Sequence, residues 1–160
     1  MLSFDAVVVT PTTDFKLIAR LNETVQALHR QRYPELFKEY SYEAVEIFFK
    51  KLLKQKSWHA LVVTYAKEPV GYALFCERNY ADNPFRRGFR VVHLDQLSFI
   101  GAYQRQGLGS KVMTYIEEFA RQRGAQQIEL SYWERNVEAE GFYQKLGFSP
   151  THRFMVKALT

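Results

Sequence analysis

The period of the hydrophobic positions changes several times along the chain, and each change predicts a new element. A β-rich run over residues 4–9 leads into a segment with apolar residues at helical spacing. These residues are Leu17, Leu21, Val25 and Leu28. A second helical segment begins near Ser41, where Glu43 and Glu46 suit the positive end of a helix. The first third of the chain is therefore predicted to form one strand and two helices.

The middle of the chain consists of β-rich runs. Residues 58–65 and 70–75 flank the short segment 66–69, which is typical of an antiparallel hairpin. Residues 91–99 predict another strand, after a loop over 79–88 that is rich in Asn, Pro and Arg. We therefore expect at least three strands to form the centre of the sheet.

The last third of the chain alternates between helical and β-rich segments. A helical period starts at Leu108, and Gly124 lies where a helix carboxyl-terminal cap is expected. Residues 127–132 predict a strand, 137–146 a short helix and 153–159 a last strand. Because 160 residues fit a single hydrophobic core, one domain over residues 1–160 is expected.

Composition narrows the class of protein. A chain that is 47% hydrophobic and 16% aromatic has the balance of a globular domain. The net charge of +5 suits an anionic partner, but Lys and Arg do not interleave with aromatic residues as in a nucleic-acid recognition module, so nucleic acid is not favoured. No apolar run reaches about 18 residues, so no membrane association is expected. Cys76 is the single cysteine, which favours a reducing compartment and predicts a cytoplasmic protein.

A glycine-bearing turn lies between the strand over 91–99 and the helix from Leu108. Backbone N–H groups at a helix start are unpaired and, with the helix dipole, form an anion site. Glycine at 107 and 109 lets a phosphate approach these amides, and Arg105 and Lys111 can add positive charge. Two other phosphate-binding motifs are excluded. A Walker loop has Lys before Ser or Thr, but residues 109–111 have the reverse order, and the dinucleotide-binding fingerprint requires glycine where this chain has Val112.

Two motifs separated by about thirty residues carry a family resemblance. The first, Q-x-x-G-x-G, is formed by Gln104, Gly107 and Gly109. The second, N-x-x-A-x-x-F-Y-x-x-x-G-F, is formed by Asn136, Ala139, Phe142, Tyr143, Gly147 and Phe148. Together with the order of elements, they resemble the acetyl-CoA-binding half of the GNAT superfamily of N-acetyltransferases. The resemblance is sharp over residues 94–148 and architectural before them.

The resemblance implies an α/β (α+β) fold with a mixed, mostly antiparallel central sheet flanked by helices, in which the fourth and fifth strands splay apart. The pantetheine arm of acetyl-CoA is then expected in the gap, paired with the main chain of Leu97 and Phe99, and the pyrophosphate on the amides of residues 106–110. Asn136 either contacts the cofactor or caps the following helix. The implied cofactor-binding residues are Leu97, Phe99, Gln104, Arg105, Gln106, Gly107, Gly109, Ser110, Asn136 and Tyr143.

The same resemblance implies that Tyr143 acts as the acid that protonates the departing thiolate. For the general base, alternation along the strand is expected to place His93, Asp95, Leu97 and Phe99 on one face, with Asp95 the first candidate and His93 the second. Ribosomal-protein acetyltransferases of the superfamily carry a glutamate where this chain has Ser131, which argues against that substrate.

The predicted activity is therefore direct transfer of an acetyl group from acetyl-CoA to the primary amine of a small molecule, without a metal. A peptide or protein amine is the alternative acceptor. Two other classes stay open, a CoA-binding module without catalysis and a basic nucleic-acid-binding module, although the presence of Tyr143 favours the enzyme. The sequence also leaves a homodimer open.

Overall fold

The computed structural model describes residues 2–159 and is built on one five-stranded sheet. The strands are β1 (Val7–Thr12), β2 (Trp58–Tyr65), β3 (Glu68–Tyr80), β4 (Phe89–Phe99) and β5 (Gln127–Leu130). They lie side by side in chain order, antiparallel except for the parallel pair β4 and β5. This arrangement confirms the predicted mixed, mostly antiparallel sheet.

Four helices cover the sheet: α1 (Phe15–Arg32), α2 (Tyr42–Leu52), α3 (Leu108–Gln122) and α4 (Val137–Lys145). Side chains cap the first two helices, since the Asp14 side chain accepts a hydrogen bond from the Leu17 amide and Ser41 accepts one from the Ala44 amide. Gly124 follows α3 with a φ of +66°, as expected of a residue just beyond a helix end.

The two faces of the sheet pack against different helices. Alternating strand residues such as Leu61 and Val63 join α3 in one core cluster, against which Phe142 and Tyr143 of α4 also pack. The intervening residues Ala60 and Val62 join α1 and Phe49 of α2 in a second cluster. We call these the α3/α4 face and the α1/α2 face.

A β-bulge in β4 overturns one prediction. Leu94 pairs with Phe75, but the next residue of β3 toward its start, Leu74, pairs with Gln96, so Asp95 is an extra residue in β4. The bulge shifts the alternation by one. Leu97 and Phe99 therefore pack on the α3/α4 face together with Leu94, whereas His93 lies on the α1/α2 face. The expectation that His93, Asp95, Leu97 and Phe99 share one face was wrong.

Strands β4 and β5 separate partway along the sheet. They pair only from Val91 to Leu94 and from Gln127 to Leu130, while β4 continues to Phe99 without a β5 partner. We call the point after Leu94 and Leu130 the fork. It confirms the predicted splay and opens a gap next to the turn that leads into α3.

The segment after α4 differs from its prediction. Residues 149–159 form no regular secondary structure, so the last strand predicted over 153–159 is absent. Four apolar residues of this segment are 84–90% exposed: Phe154, Met155, Val156 and Leu159. Local β-propensity predicted a strand here, but a strand also needs a partner edge, and this segment has none in the described structure.

The start of the first strand also differs from its prediction. The chain starts with a 3-10 turn over Phe4–Ala6, so β1 begins later than the predicted run over 4–9. Within residues 2–159, no helix combines the length and apolar character needed to cross a membrane.

Candidate active site

The turn before α3 has the geometry of an anion site. Gly107 occupies the N-cap position with a φ of +81°, and Arg105 also has a positive φ of +57°. No side chain of the described residues caps this helix start, so the amides of its first turn are available to an anionic ligand. The Gln104 side chain donates to the Phe99 carbonyl at 2.9 Å and so fixes the turn to the end of β4.

Gly109 is also required for the packing of two helices. A Cβ atom on this residue would lie 2.7 Å from Cζ of Phe142, which belongs to α4. The glycine therefore lets α3 and α4 pack closely, and its role in letting a phosphate approach stays a prediction. The ammonium of Lys111 donates to the Val7 carbonyl at 2.9 Å, which anchors its charge at β1.

The main chain of Leu97 and Phe99 faces the gap. The Ile100 amide donates to the Val70 carbonyl of β3, and backbone groups of successive strand residues point to alternate sides. Phe99 and Leu97 thus direct their amide and carbonyl groups away from β3, toward the space where β5 has ended. An extended amide-bearing chain can pair there as an added strand.

The start of α4 forms the opposite wall of the gap. Asn136 caps this helix, because its side-chain oxygen accepts from the Ala139 amide at 3.3 Å. Tyr143 follows two turns later and packs against the rings of Tyr132, Phe142 and Phe148. Burial raises the pKa of Tyr143 to about 12, which keeps the phenol protonated.

Four polar side chains meet beside the fork on the α1/α2 face. Glu129 of β5 directs one carboxylate oxygen, Oε1, at Nδ1 of His93 (3.1 Å), the hydroxyl of Tyr80 (2.7 Å) and a guanidinium nitrogen of Arg78 (3.3 Å). Burial lowers the pKa of His93 below its ordinary value of 6.5, and the Arg78 charge adds to this, while Glu129 opposes it. We call His93, Glu129, Arg78 and Tyr80 the polar cluster.

Asp95, the other base candidate, has different surroundings. It lies in the bulge with an exposed side chain, and no hydrogen bond to it is found among residues 2–159. A buried network follows it, in which Tyr72 donates to Gln96 at 2.5 Å and Asn22 of α1 donates to the Tyr72 hydroxyl at 2.8 Å. This network holds α1 against β4 just beyond the bulge.

The end of α1 also reaches across to the turn between β5 and α4. Trp133 packs on Tyr33 and Phe37, with ring centroids 5.0 Å apart in both pairs. The Arg135 amide donates to the Tyr33 hydroxyl at 2.7 Å, and Arg32 forms an ion pair of 2.8 Å with Glu138 of α4. We call these contacts the α1 bridge. They join the end of α1 to the turn before α4, on the α1/α2 face of the gap.

The candidate acid and base thus lie on opposite faces of the sheet. Tyr143 packs into the α3/α4 core, whereas His93 lies with Glu129 on the α1/α2 face, and both are near the fork. The predicted residues from 97 to 110 lie along β4 and its turn, and Asn136 and Tyr143 lie on the opposite wall. The structure therefore brings the two predicted motifs to one gap.

Sequence reasoning did not find Glu129, Arg78 or Tyr80. Arg78 and Tyr80 lie beyond the predicted end of the third strand, because β3 continues to Tyr80 rather than ending at residue 75. Glu129 carried one usable signal, since it alternates with the apolar residues Ile128 and Leu130 and must therefore face away from their core.

The fold and the gap have counterparts among known proteins. A family model described as the acetyltransferase (GNAT) family matches residues 22–148. The chain belongs to this family. An uncharacterized N-acetyltransferase of Methanocaldococcus jannaschii is similar to it, with 28% identity over 101 residues that cover 63% of this chain. That alignment spans 43% of the relative's own length.

Solved structures share the fold over nearly the whole chain. A tetramutant of the BH1408 protein from Bacillus halodurans superposes with a TM-score of 0.88 at 19% identity, covering 95% of this chain and 99% of that one. The aminoglycoside N-acetyltransferase AAC(6')-Iy, solved in complex with CoA, superposes with a TM-score of 0.71 at 14% identity, covering 96% and 94%. At these identities the likeness establishes the fold.

Two further features of the described residues bear on the site. A cavity of about 370 Å³ lies at the opposite end of β4, between Asn79, Arg90 and Gln126, away from the fork. The candidate site is therefore assigned from the gap and its side chains rather than from this cavity. Across residues 2–159, no three His, Cys, Asp or Glu side chains come together as a metal site would need.

Proposed function

We propose that this protein transfers the acetyl group of acetyl-CoA to the primary amine of a small molecule by direct attack. The observation that carries the proposal is the gap at the fork. It has an uncapped helix start at one end, strand backbone without a strand partner along one side, and a histidine and a tyrosine on opposite faces of its closed end.

The residues present fit acetyl-CoA. The first-turn amides of α3, with Gly107 and Arg105 in left-handed conformations, suit the pyrophosphate, and the backbone of Leu97 and Phe99 suits the amides of the pantetheine arm. When bound, acetyl-CoA supplies a thioester, which is the activated acetyl group. The same positions form the predicted set of cofactor contacts, with Gln104 fixing the turn.

We assign the general base to His93 in preference to Asp95. An acceptor amine has a pKa of about 10 and arrives protonated, so it must lose a proton to become a nucleophile. A histidine whose pKa is lowered is neutral at neutral pH and can accept that proton. Asp95 is an exposed carboxylate without a supporting partner among the described residues, so it lacks a fixed direction.

We propose that Tyr143, on the α3/α4 face, acts on the leaving thiolate of coenzyme A. A phenol with a pKa of about 12 gives up its proton to a thiolate of pKa about 8.5 only at a cost of ~5 kcal/mol, so complete transfer in a separate step is disfavoured. A hydrogen bond from the hydroxyl to the sulfur, formed as negative charge develops, leaves the proton on the phenol until the carbon–sulfur bond breaks and so avoids the free-energy cost of a separate step. We assign Tyr143 to this role, with protonation of the sulfur accompanying bond cleavage.

Small amines are the acceptors we favour, because the α1 bridge spans the α1/α2 side of the gap. Trp133 packs on Tyr33 and Phe37 there, and we propose that this contact keeps an extended peptide out. The structurally similar AAC(6')-Iy is named as an aminoglycoside N-acetyltransferase, which also supports a small amine. A peptide amine stays the second choice, and a single cytoplasmic domain over residues 1–160 is part of the proposal.

Release of free thiol from acetyl-CoA tests the proposal. We would incubate the purified protein with spermidine, neamine, L-lysine and a lysine-containing tripeptide and measure thiol with a colorimetric reagent. We expect faster release with at least one small amine than with the tripeptide, and a product heavier by one acetyl group. Absence of thiol release with all four, together with unchanged thermal stability in millimolar acetyl-CoA, would contradict the proposal.

A further inference from the structure

We infer that Glu129 is a positioning residue for His93, holding the imidazole in the tautomer and direction that a general base at the fork requires. This inference rests on the proposed function, because it concerns the same reaction. Glu129 was not among the residues expected from the sequence, and in this inference it acts on the acceptor only through His93.

The ring nitrogen that faces Glu129 is defined by the structure. Nδ1 of His93 lies 3.1 Å from Oε1 of Glu129, within hydrogen-bond distance. An ionised carboxylate only accepts hydrogen bonds, so the proton of this bond must be on Nδ1. The neutral imidazole is therefore held as the Nδ1–H tautomer, which leaves the lone pair on Nε2 free to take a proton.

Glu129 is itself fixed in place. Its Oε1 atom also accepts from the Tyr80 hydroxyl at 2.7 Å and from Arg78 at 3.3 Å, so three donors from two neighbouring strands converge on one oxygen. The His93 side chain is 13% exposed and that of Glu129 is 30% exposed, so solvent screens their interaction only in part. An arrangement of this kind directs a side chain better than a single exposed ion pair does.

Charges of both signs face His93 from the neighbouring strands. Arg78 and Tyr80 face it from β3, together with the Cys76 thiol across the strand pair, Glu129 faces it from β5, and Asp95 follows in β4. Burial, followed by the Arg78 charge, lowers the pKa of His93 by more than Glu129 raises it, so His93 stays neutral at neutral pH although a glutamate is bonded to it. Glu129 thus orients the imidazole without holding it in the protonated form.

The proton balance of the step is simple. The amine nitrogen forms a bond to the acetyl carbon as the carbon–sulfur bond breaks, the sulfur takes the hydroxyl proton of Tyr143, and solvent then returns a proton to the phenolate. The proton lost by the amine nitrogen goes to Nε2 of His93. The resulting imidazolium keeps its Nδ1–H bond to Glu129, and a charge-assisted bond of this type is stronger than the neutral one.

The protein contains its own control for this inference. On the α3/α4 face, Nε2 of His59 lies 2.9 Å from Oε1 of Glu77, so a second histidine–glutamate pair occurs in the same sheet. The side chains of this second pair are 24% and 33% exposed, close to the values of the first pair. Substitutions at Glu77 therefore reproduce the loss of a carboxylate next to a histidine without touching the polar cluster.

The first experiment needs no acceptor. Long-range ¹H–¹⁵N spectra of the free protein at pH 8 report which ring nitrogen of each histidine carries the proton. We expect His93 in the Nδ1–H form in the parent protein, a shift toward the Nε2–H form in Glu129→Leu, and no change at His93 in Glu77→Leu. A parent His93 in the Nε2–H form, or an unchanged His93 in Glu129→Leu, would overturn the inference.

The second experiment uses Glu129→Gln, which keeps the shape of the side chain if the leucine variant does not fold. With acetyl-CoA and the best of the four amine probes, we expect kcat to fall at least tenfold with KM changed less than threefold. Because Glu129 raises the pKa of His93, its removal should also shift the acidic limb of the kcat profile to lower pH. Glu77→Gln should keep the parent kcat and the parent profile.

A double variant separates this inference from the assignment of the base. If Glu129 acts only through His93, then His93→Gln with Glu129→Gln should be no slower than His93→Gln alone. A fully active His93→Gln would refute the base assignment in the proposed function. An impaired His93→Gln beside a Glu129→Gln variant with parent kcat and parent pH profile would refute the positioning role alone.

Discussion

Gly109 of α3 and Phe142 of α4 are in such close contact that a single added carbon would overlap the phenylalanine ring, at 2.7 Å from Cζ. This contact joins the helix that starts at the anion site to the helix that carries Tyr143. The two motifs recognised in the sequence are thus in direct contact in the fold. Their spacing along the chain reflects helix packing as well as cofactor binding.

Gly109→Ala should therefore destabilise the protein. Overlap in a packed region costs about 1–3 kcal/mol, which exceeds the ~0.5–1 kcal/mol that alanine contributes over glycine within a helix. Gly141→Ala is the matched control in α4, because no heavy atom lies within 4 Å of its added Cβ, and it should stabilise the protein slightly. Urea unfolding of both variants measures these effects.

Phe142→Leu in the Gly109→Ala background makes room for the added methyl group. We expect it to recover part of the lost free energy of unfolding. If Gly109→Ala is as stable as the parent protein, the close helix contact does not explain this glycine.

Ser110→Glu should separate binding from folding. Ser110 is an exposed residue in the first turn of α3, where a carboxylate interacts favourably with the helix dipole by about 0.3–1 kcal/mol. The same charge repels a pyrophosphate at that turn. We expect thermal stability to be unchanged or raised and acetyl-CoA affinity to fall about tenfold or more, measured by calorimetry.

The neutral variant Ser110→Gln controls for side-chain size and should weaken binding much less than the glutamate does. Equal affinity for acetyl-CoA in the parent protein and in a folded Ser110→Glu variant would remove this turn from the cofactor site.

Tyr143→Phe should lower kcat by roughly 10² or more while acetyl-CoA affinity stays within a few fold, since a placed proton donor contributes about this much. The ring and its packing on Tyr132 and Phe148 are kept, so stability should change little. Steady-state rates at saturating acetyl-CoA, with the binding constant measured separately, give the answer. A variant as fast as the parent would mean that solvent protonates the thiolate.

The pH dependence of kcat should have a single limb. The base works when His93 is neutral, and its pKa is lowered, so kcat should rise with pH through a midpoint below 6.5 and then level off. The acid works when Tyr143 is protonated, and its pKa is raised to about 12, so no decline is expected up to pH 10. A bell-shaped profile with a midpoint near pH 9 would contradict the assignment of Tyr143.

Much of the fold followed from local patterns. The helices starting at Leu108 and near Ser41 were predicted from periodicity, from Gly124 at the end of the first and from acidic residues at the start of the second, and the turn at 104–110 from its glycines, because these signals lie within one turn or one strand. The positions of Gln104, Gly107, Asn136 and Tyr143 along the gap followed from the family motifs.

Other features depend on contacts between distant segments, so the sequence could not define them. The bulge at Asp95 arises from the register with β3, and it reversed the face expected for His93. The polar cluster joins residues from three strands, and only strand pairing brings Glu129 to His93. For residues 153–159 the local signal misled the prediction. Their β-propensity predicted a strand, but no neighbouring strand edge in the described structure pairs with them.

The bulge at Asp95 also has a consequence for how this protein can diversify. The bulge sends His93 to one side of the sheet, whereas the proposed cofactor contacts of Leu97 and Phe99 are made by their main chain. Under the proposed function, substitutions in the α1 bridge can then change acceptor preference while the polar cluster and the acetyl-CoA contacts are retained. Directed evolution of acceptor scope can therefore concentrate its libraries on the α1 bridge.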